Sequence, residues 1–158
     1  MKILIDTQCW LWWFLDPDRL NARSRELIAE RRHPLVFSAA SSWEIAIKSA
    51  LGKLELPEPP SRYVPSRLSD EGMSALPIEH AHALGVADLP PLHDDPFDRL
   101  LVSQARQEHA VLLTADPQIL RYQVETIWAG VDPPPRRPPA PRPAPARRRP
   151  PTPRRSPR

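Results

Sequence analysis

Short, continuous apolar runs that lead straight into helix starts constrain this chain most. Lys2 to Thr7 (KILIDT), Leu35 to Ala39 (LVFSA) and Val111 to Thr114 (VLLT) read as short strands with both faces buried. Ser74 to Ile78 and Val124 to Trp128 add two more. Helical patterns fill the intervals. Asn21 to Arg32 forms a helix capped by Asn21, with Leu27 and Ile28 inward. A second helix starts at a Ser41 or Ser42 cap, turns Trp43, Ile47 and Leu51 inward and stops at Gly52. Arg62 to Asp70 and Glu79 to Val86 follow, on either side of the Ser74 to Ile78 strand. The clearest helix is capped by Asp95, takes Pro96 in its first turn and buries Phe97, Leu100, Leu101 and Ala105. Gln8 to Leu15 is helical or turn-like up to Asp16-Pro17, and Asp116-Pro117 opens a short last helix. Strands alternating with helices predict an α/β fold, a parallel sheet covered on both faces.

A chain of 158 residues has room for one domain and one core. Cys9 is the sole cysteine, which excludes an intrachain disulfide or a cysteine-based zinc site. Asp6 interrupts the start MKILIDTQCW, a poor secretory signal, and no uncharged apolar run approaches the roughly 20 residues of a membrane span. No membrane association and a cytoplasmic setting are the expectation. The net charge of +3 hides an asymmetry: residues 131–158 hold nine arginines and one acid, Asp132, a charge of +8, which leaves −5 for the rest. Twelve of the 23 prolines lie in that same stretch, and Val131 is its only large apolar residue. The expectation is a folded unit over 1–130 and a disordered, polyproline-like tail over 131–158.

Four acids stand at strand ends or helix starts: Asp6, Glu44, Asp98 and Asp116. Open parallel sheets gather such junctions at one edge. Carboxylates brought together repel unless cations neutralise them, and Mg²⁺ prefers hard oxygen ligands. Each acid also has a plainer reading. Asp6 either caps the segment at Thr7 or binds a cation. Glu44 either pairs with Lys48 one helical turn on or points into the site. Asp98 either closes a capping box or, bordering Leu101 and Val102, faces inward. Asp95 reads as the cap of that helix. Asp116 repeats the arrangement of Asp6, and Thr114 offers a hydrogen bond to a neighbouring carboxylate. His93 is a loop histidine, solvated or touching substrate. His80 and His82, two apart on a helix, diverge. Trp10, Trp12 and Trp13 are read as core or dimer contacts before base-stacking surfaces. No G-x-x-x-x-G-K-[ST] or G-x-G-x-x-G phosphate loop and no serine or cysteine nucleophile motif occurs.

The segments ILIDTQCWLWW, SAASSWEIAIK, HDDPFDRLLVSQA and LLTADPQIL, in this order and spacing, resemble the PIN-domain ribonucleases and, within them, the VapC toxins of toxin–antitoxin pairs. The resemblance covers about residues 2–128; the Pro/Arg tail departs from it. It implies a three-layer α/β/α PIN fold, cleavage of RNA, Mg²⁺ or Mn²⁺ held by Asp6, Glu44, Asp98 and Asp116, a cognate antitoxin, and a homodimer. Phosphodiester hydrolysis needs an acidified water and a stabilised phosphate, which one or two Mg²⁺ supply, about 3.5–4 Å apart when there are two. Asp6 and Asp98 are then the direct ligands, and Glu44 and Asp116 complete the site directly or through water. Asp95, Thr114 and Arg99 support it, with Lys48, Arg99 and Arg106 as phosphate contacts. Two other readings stay open: a nuclease outside any toxin pair, and a non-catalytic nucleic-acid-binding protein that uses the basic tail. A tail with no selected role is a further possibility.

Overall fold

The computed structural model describes residues 1–135; the tail expected from Val131 onward lies, from residue 136, outside them. Five strands, β1 (Lys2–Ile5), β2 (Leu35–Ser38), β3 (Ser74–Leu76), β4 (Ala110–Thr114) and β5 (Thr126–Trp128), form one parallel sheet in the order β3-β2-β1-β4-β5. Central β1 pairs on both sides, Ile3 opposite Leu35 of β2 and Val111 of β4. Six helices connect and cover the strands: α1 (Thr7–Leu15), α2 (Ala22–Glu30), α3 (Ala39–Ala50), α4 (Pro60–Asp70), α5 (His80–Gly85) and α6 (Pro96–Gln107).

Period-two alternation splits the core into two layers. Ile3, Ile5, Leu35, Phe37 and Leu113 point into one, against Trp10, Ile28, Tyr63 and Val64 of α1, α2 and α4. Leu4, Val36 and Leu112 point into the other, against Leu101, Val102 and Ala105 of α6. Trp10 is fully buried, stacked on Phe37 at 4.6 Å and edge-on to Tyr63 at 6.1 Å, so this tryptophan belongs to the core. The expected α/β/α layering holds.

Several local expectations are corrected. α3 begins directly at the end of β2, capped by Ser38, whose hydroxyl accepts from Ala40 N–H; Ser41 and Ser42 lie inside the helix. Its buried residues are Ala40, Ser41, Glu44 and Ile45, whereas Trp43 and Leu51 are 58% and 63% exposed. The most apolar stripe of α3 is therefore not its inner one. The inward face carries small and polar residues because it borders the cleft described below. On α6 the buried set is Leu101 to Ala105; Phe97 and Leu100 are only half-buried, and Phe97 packs edge-on against Trp43 at 5.3 Å. β1 stops at Ile5, and the last expected helix is a single 3₁₀ turn, Ile119–Arg121.

The chain runs β1 to β2 to β3 on one side of the sheet, then returns to place β4 and β5 on the other. Outside the carboxyl ends of β1 and β4 the connections diverge in opposite directions, which opens a crevice there.

Candidate functional site

At that crevice lies a cleft of about 370 Å³, lined among others by Asp6, Glu44, Lys48, Asp95, Asp98 and Asp116. All four predicted acids, and Asp95, thus come together from β1, α3, α6 and the end of β4. Asp6 follows β1, caps α1 by accepting from Gln8 N–H at 3.3 Å, and is almost fully buried. Thr114, last residue of β4, donates to Asp6 Oδ2 at 2.7 Å and accepts from Asp116 N–H at 3.0 Å. A hydroxyl has one hydrogen, so both directions are fixed. Asp116 in turn accepts from Gln118 N–H at 2.7 Å. Asp6 is thereby both cap and cleft wall, the two alternatives its position in the sequence left open.

Glu44 is buried, one turn inside α3, and receives the Lys48 ammonium. Thr7 donates to Ser41 at 2.8 Å, buried, and ties the start of α1 to α3 beneath it. Asp95 caps α6, accepting from Phe97 and Asp98 N–H at 2.9 and 3.1 Å. Asp98, in the first turn of α6, bonds none of these amides. Its Oδ2 meets His93 Nε2 at 3.1 Å.

Burial dominates the electrostatics. It pushes the Asp6 carboxyl up to about 6, helped by the nearby Glu44 and Asp116 charges and opposed by the Thr114 and Gln8 hydrogen bonds. Asp98 goes further, to about 8, through burial and then the charges of Asp6, Asp95, Asp116 and Glu44. Cys9, on the inner face of α1 and fully buried, is held protonated by burial, so it is no nucleophile. Among the described residues no three His, Cys, Asp or Glu side chains draw close enough to clasp one metal ion. Three of the four acids bond a side chain of their own, Asp6 to Thr114, Glu44 to Lys48 and Asp98 to His93, and Asp116 takes a backbone amide.

The flanking cations differ from expectation. Arg99 does not line the cleft: its guanidinium donates to the carbonyls of Val86, Leu89 and Pro90 and to Tyr122 Oη. Arg106 lines a separate hollow with Ala81, Leu84 and Asp88. Lys48 stays at the cleft. A second hollow of about 340 Å³ adjoins it, sharing Gln8, Leu11, Trp12 and Lys48 and adding Arg19 and Lys53. Arg19 lies over the Trp12 ring, 4.3 Å from its centroid. Reading the sequence passed over Arg19 and Lys53, because nothing local marks a loop cation as facing a site. His93 reads from the sequence as solvated or substrate-touching; its place five residues before Asp98 is the local signal for the contact it makes.

A family model described as the PIN domain matches residues 3–125, nearly the whole folded region. The chain belongs to the PIN-domain family. Ribonuclease VapC16 of Mycobacterium tuberculosis (strain ATCC 25618 / H37Rv) is 46% identical over 68 residues, 43% of this chain and 48% of that protein. The chain thus matches about half the length of that relative. Among solved structures, VapBC2 from Rickettsia felis bound to a DNA fragment from its promoter superposes with a TM-score of 0.62 at 18% identity, covering 82% of this chain and 99% of that one. FitAcB from Neisseria gonorrhoeae gives 0.53 at 18%, covering 79% and 96%. DNA-bound VapBC from Salmonella typhimurium gives 0.55 at 15%, covering 80% and 97%. These similarities show a shared fold. No helix among the described residues is long and apolar enough to cross a membrane.

Proposed function

We propose that this PIN domain is a Mg²⁺-dependent endoribonuclease, the toxin of a toxin–antitoxin pair, working in the cytoplasm. One observation carries the reading: four acids from distant parts of the chain line one cleft at the sheet's switch point, and Asp6 and Asp98 are strained there towards their neutral forms. That is a poor arrangement for carboxylates alone and a good one for carboxylates around a cation. The donor set is oxygen throughout, which fits hard Mg²⁺ and admits Mn²⁺. Asp6 and Asp98 would hold the ion, with Asp116 and Glu44 completing the set once Glu44 leaves Lys48. Bound there, the cation would acidify an attacking water and offset charge developing on the phosphate.

The chain's own residues do the rest. Thr114 fixes the Asp6 carboxylate from β4, and Asp95 fixes the first turn of α6 that presents Asp98. Lys48, Lys53 and Arg19 offer phosphate contacts along the adjoining hollow, and Trp12 an apolar face; this replaces Arg99 and Arg106 in that role. The ribonuclease name of the Mycobacterium tuberculosis relative supports RNA as substrate, and the VapBC complexes among the structural neighbours support a cognate antitoxin. A homodimer is proposed through the exposed face of Trp43 and Leu51 beside Phe97.

The deciding experiment incubates total cellular RNA with wild type, Asp6→Asn and Asp98→Asn, with Mg²⁺ and with EDTA. Cleavage only by wild type in Mg²⁺ is the expected result, and sequencing the cut ends would identify the target. Equal cleavage in all lanes would sink the proposal. The +8 charge of residues 131–158 favours one rival, nucleic-acid binding without catalysis. It requires that deleting those residues abolish activity while Asp98→Asn preserves it. Cleavage without an antitoxin gene beside this one would leave a nuclease outside any toxin pair.

A further inference from the structure

Asp98 is the end of a hydrogen-bonded chain that begins at Arg99. The Arg99 guanidinium is anchored by the carbonyls of Pro90 (2.9 Å), Val86 (3.2 Å) and Leu89 (3.4 Å), and its Nη1 reaches Tyr122 Oη at 3.1 Å. Tyr122, buried in the α6 layer, meets His93 Nδ1 at 2.8 Å. The two rings pack edge-on, 5.4 Å apart. His93 Nε2 then meets Asp98 Oδ2 at 3.1 Å, both side chains largely shielded from solvent.

Donor logic gives this chain a direction. Arginine only donates, so Tyr122 Oη accepts from it and keeps its own hydrogen for His93 Nδ1. With Nδ1 accepting, the neutral ring carries its proton on Nε2, which faces the carboxylate. A carboxylate acting as a cation ligand only accepts, so every link has one donor and one acceptor. The chain also spans separate elements: the loop before α6, α6 itself, and the turn leading to β5.

We propose that His93 is a positioning residue for Asp98: Tyr122 and Arg99 hold its Nε2–H against Oδ2, which keeps the carboxylate in one orientation for a divalent cation. The inference rests on the metal-site reading above. Groups that orient metal ligands in this way typically change metal affinity about 10–100-fold when removed.

The test titrates the full-length chain with Mn²⁺, without RNA, reading free Mn²⁺ by electron paramagnetic resonance. His93→Ala is expected to weaken binding about 10-fold. His93→Gln, which keeps an N–H donor, should recover most of that loss. Tyr122→Phe, which removes the hydroxyl that sets the ring's tautomer, should fall between Ala and wild type. Wild-type affinity in His93→Ala, or no recovery in His93→Gln, overturns the role. If His93→Ala does not fold, as judged by its melting curve, Tyr122→Phe decides: weakened binding supports the role and wild-type binding ends it. Asp98→Ala separates the two levels. Undiminished binding there removes the metal site itself, whereas loss there with none in the His93 and Tyr122 variants removes only the positioning role.

Discussion

Thr114 and Asp98 show how single side chains set the character of the cleft. Thr114 serves two masters through one hydroxyl, Asp6 as acceptor and Asp116 N–H as donor. Replacing it by valine keeps the shape and removes both bonds in a buried position. Thr114→Val should therefore lose about 1–3 kcal/mol, read from a urea midpoint. It should also raise the Asp6 carboxyl above about 6, read by carbon NMR, because the Thr114 bond opposes the effect of burial. Asp98→Asn should reduce RNA cleavage by more than the roughly 10–100-fold that loss of a supporting residue costs, measured at saturating Mg²⁺. That the acids meet was readable in part: Asp6 and Asp116 follow apolar runs and Asp98 stands in the first turn of α6, whereas Glu44 lies deeper inside α3. What holds each acid was not. Thr114 was readable as a donor, but the His93–Tyr122 pairing joins residues 29 apart, across a loop whose path no local pattern dictates.

At the scale of elements, α3 carries the clearest lesson. The stripe Trp43, Ile47, Leu51 has the best helical spacing of large apolar residues, yet two of the three face outward. The inner stripe is Ala40, Ser41, Glu44 and Ile45, because this helix packs one flank on the core and borders the cleft with the other. Hydrophobic periodicity finds the most apolar face, which is the buried face only when no site competes for it. Ser38 has a similar double duty: it caps α3 and donates to the buried Gln104 of α6. Ser38→Ala should cost at least about 1–2 kcal/mol, more than a cap alone because Gln104 Oε1 loses its partner. Thermal melts of wild type and Ser38→Ala check this; an unchanged midpoint would remove the double role. Strand positions were the most legible elements, since runs such as VLLT have no competing reading once both faces are covered. The expected helix after Asp116 is only the 3₁₀ turn Ile119–Arg121, although Asp116 bonds Gln118 N–H just as the helix caps Asp6 and Asp95 bond the amides two residues on.

For the whole molecule, the acid cleft links stability to pH. Asp6 and Asp98 have folded values of about 6 and 8 against an ordinary aspartate value of 3.8, so the folded state binds their protons more tightly than the unfolded state. Their contribution to stability is fully present below about pH 4 and is lost as pH rises towards 8. The metal-free chain should thus melt progressively lower between those limits. Asp98→Asn should flatten the slope, with a gain at pH 8 and none at pH 4; a steeper slope would contradict the burial argument. Added Mn²⁺ should reverse the loss at pH 8, by about 2.7 kcal/mol at a hundredfold excess over its dissociation constant. At the exposed α3 face, Trp43→Glu should convert a dimer to a monomer in sedimentation, and a wild-type monomer would remove that proposal. Alternation of strands and helices was enough for a parallel sheet with two covered faces. The order β3-β2-β1-β4-β5 was not, because strand neighbours are chosen by crossovers that leave no mark in local sequence.

The caps around the cleft carry a consequence for inheritance. Asp6, Asp95 and Asp116 each hold backbone amides with the same side chain that lines the cleft, whereas Asp98 holds only another side chain. A lineage burdened by a harmful activity can discard it at position 98 while keeping a sound fold, and pays in stability to discard it at position 6 or 116. Silenced descendants of such a chain should accumulate at Asp98 first, or at Glu44, which also holds only a side chain, Lys48.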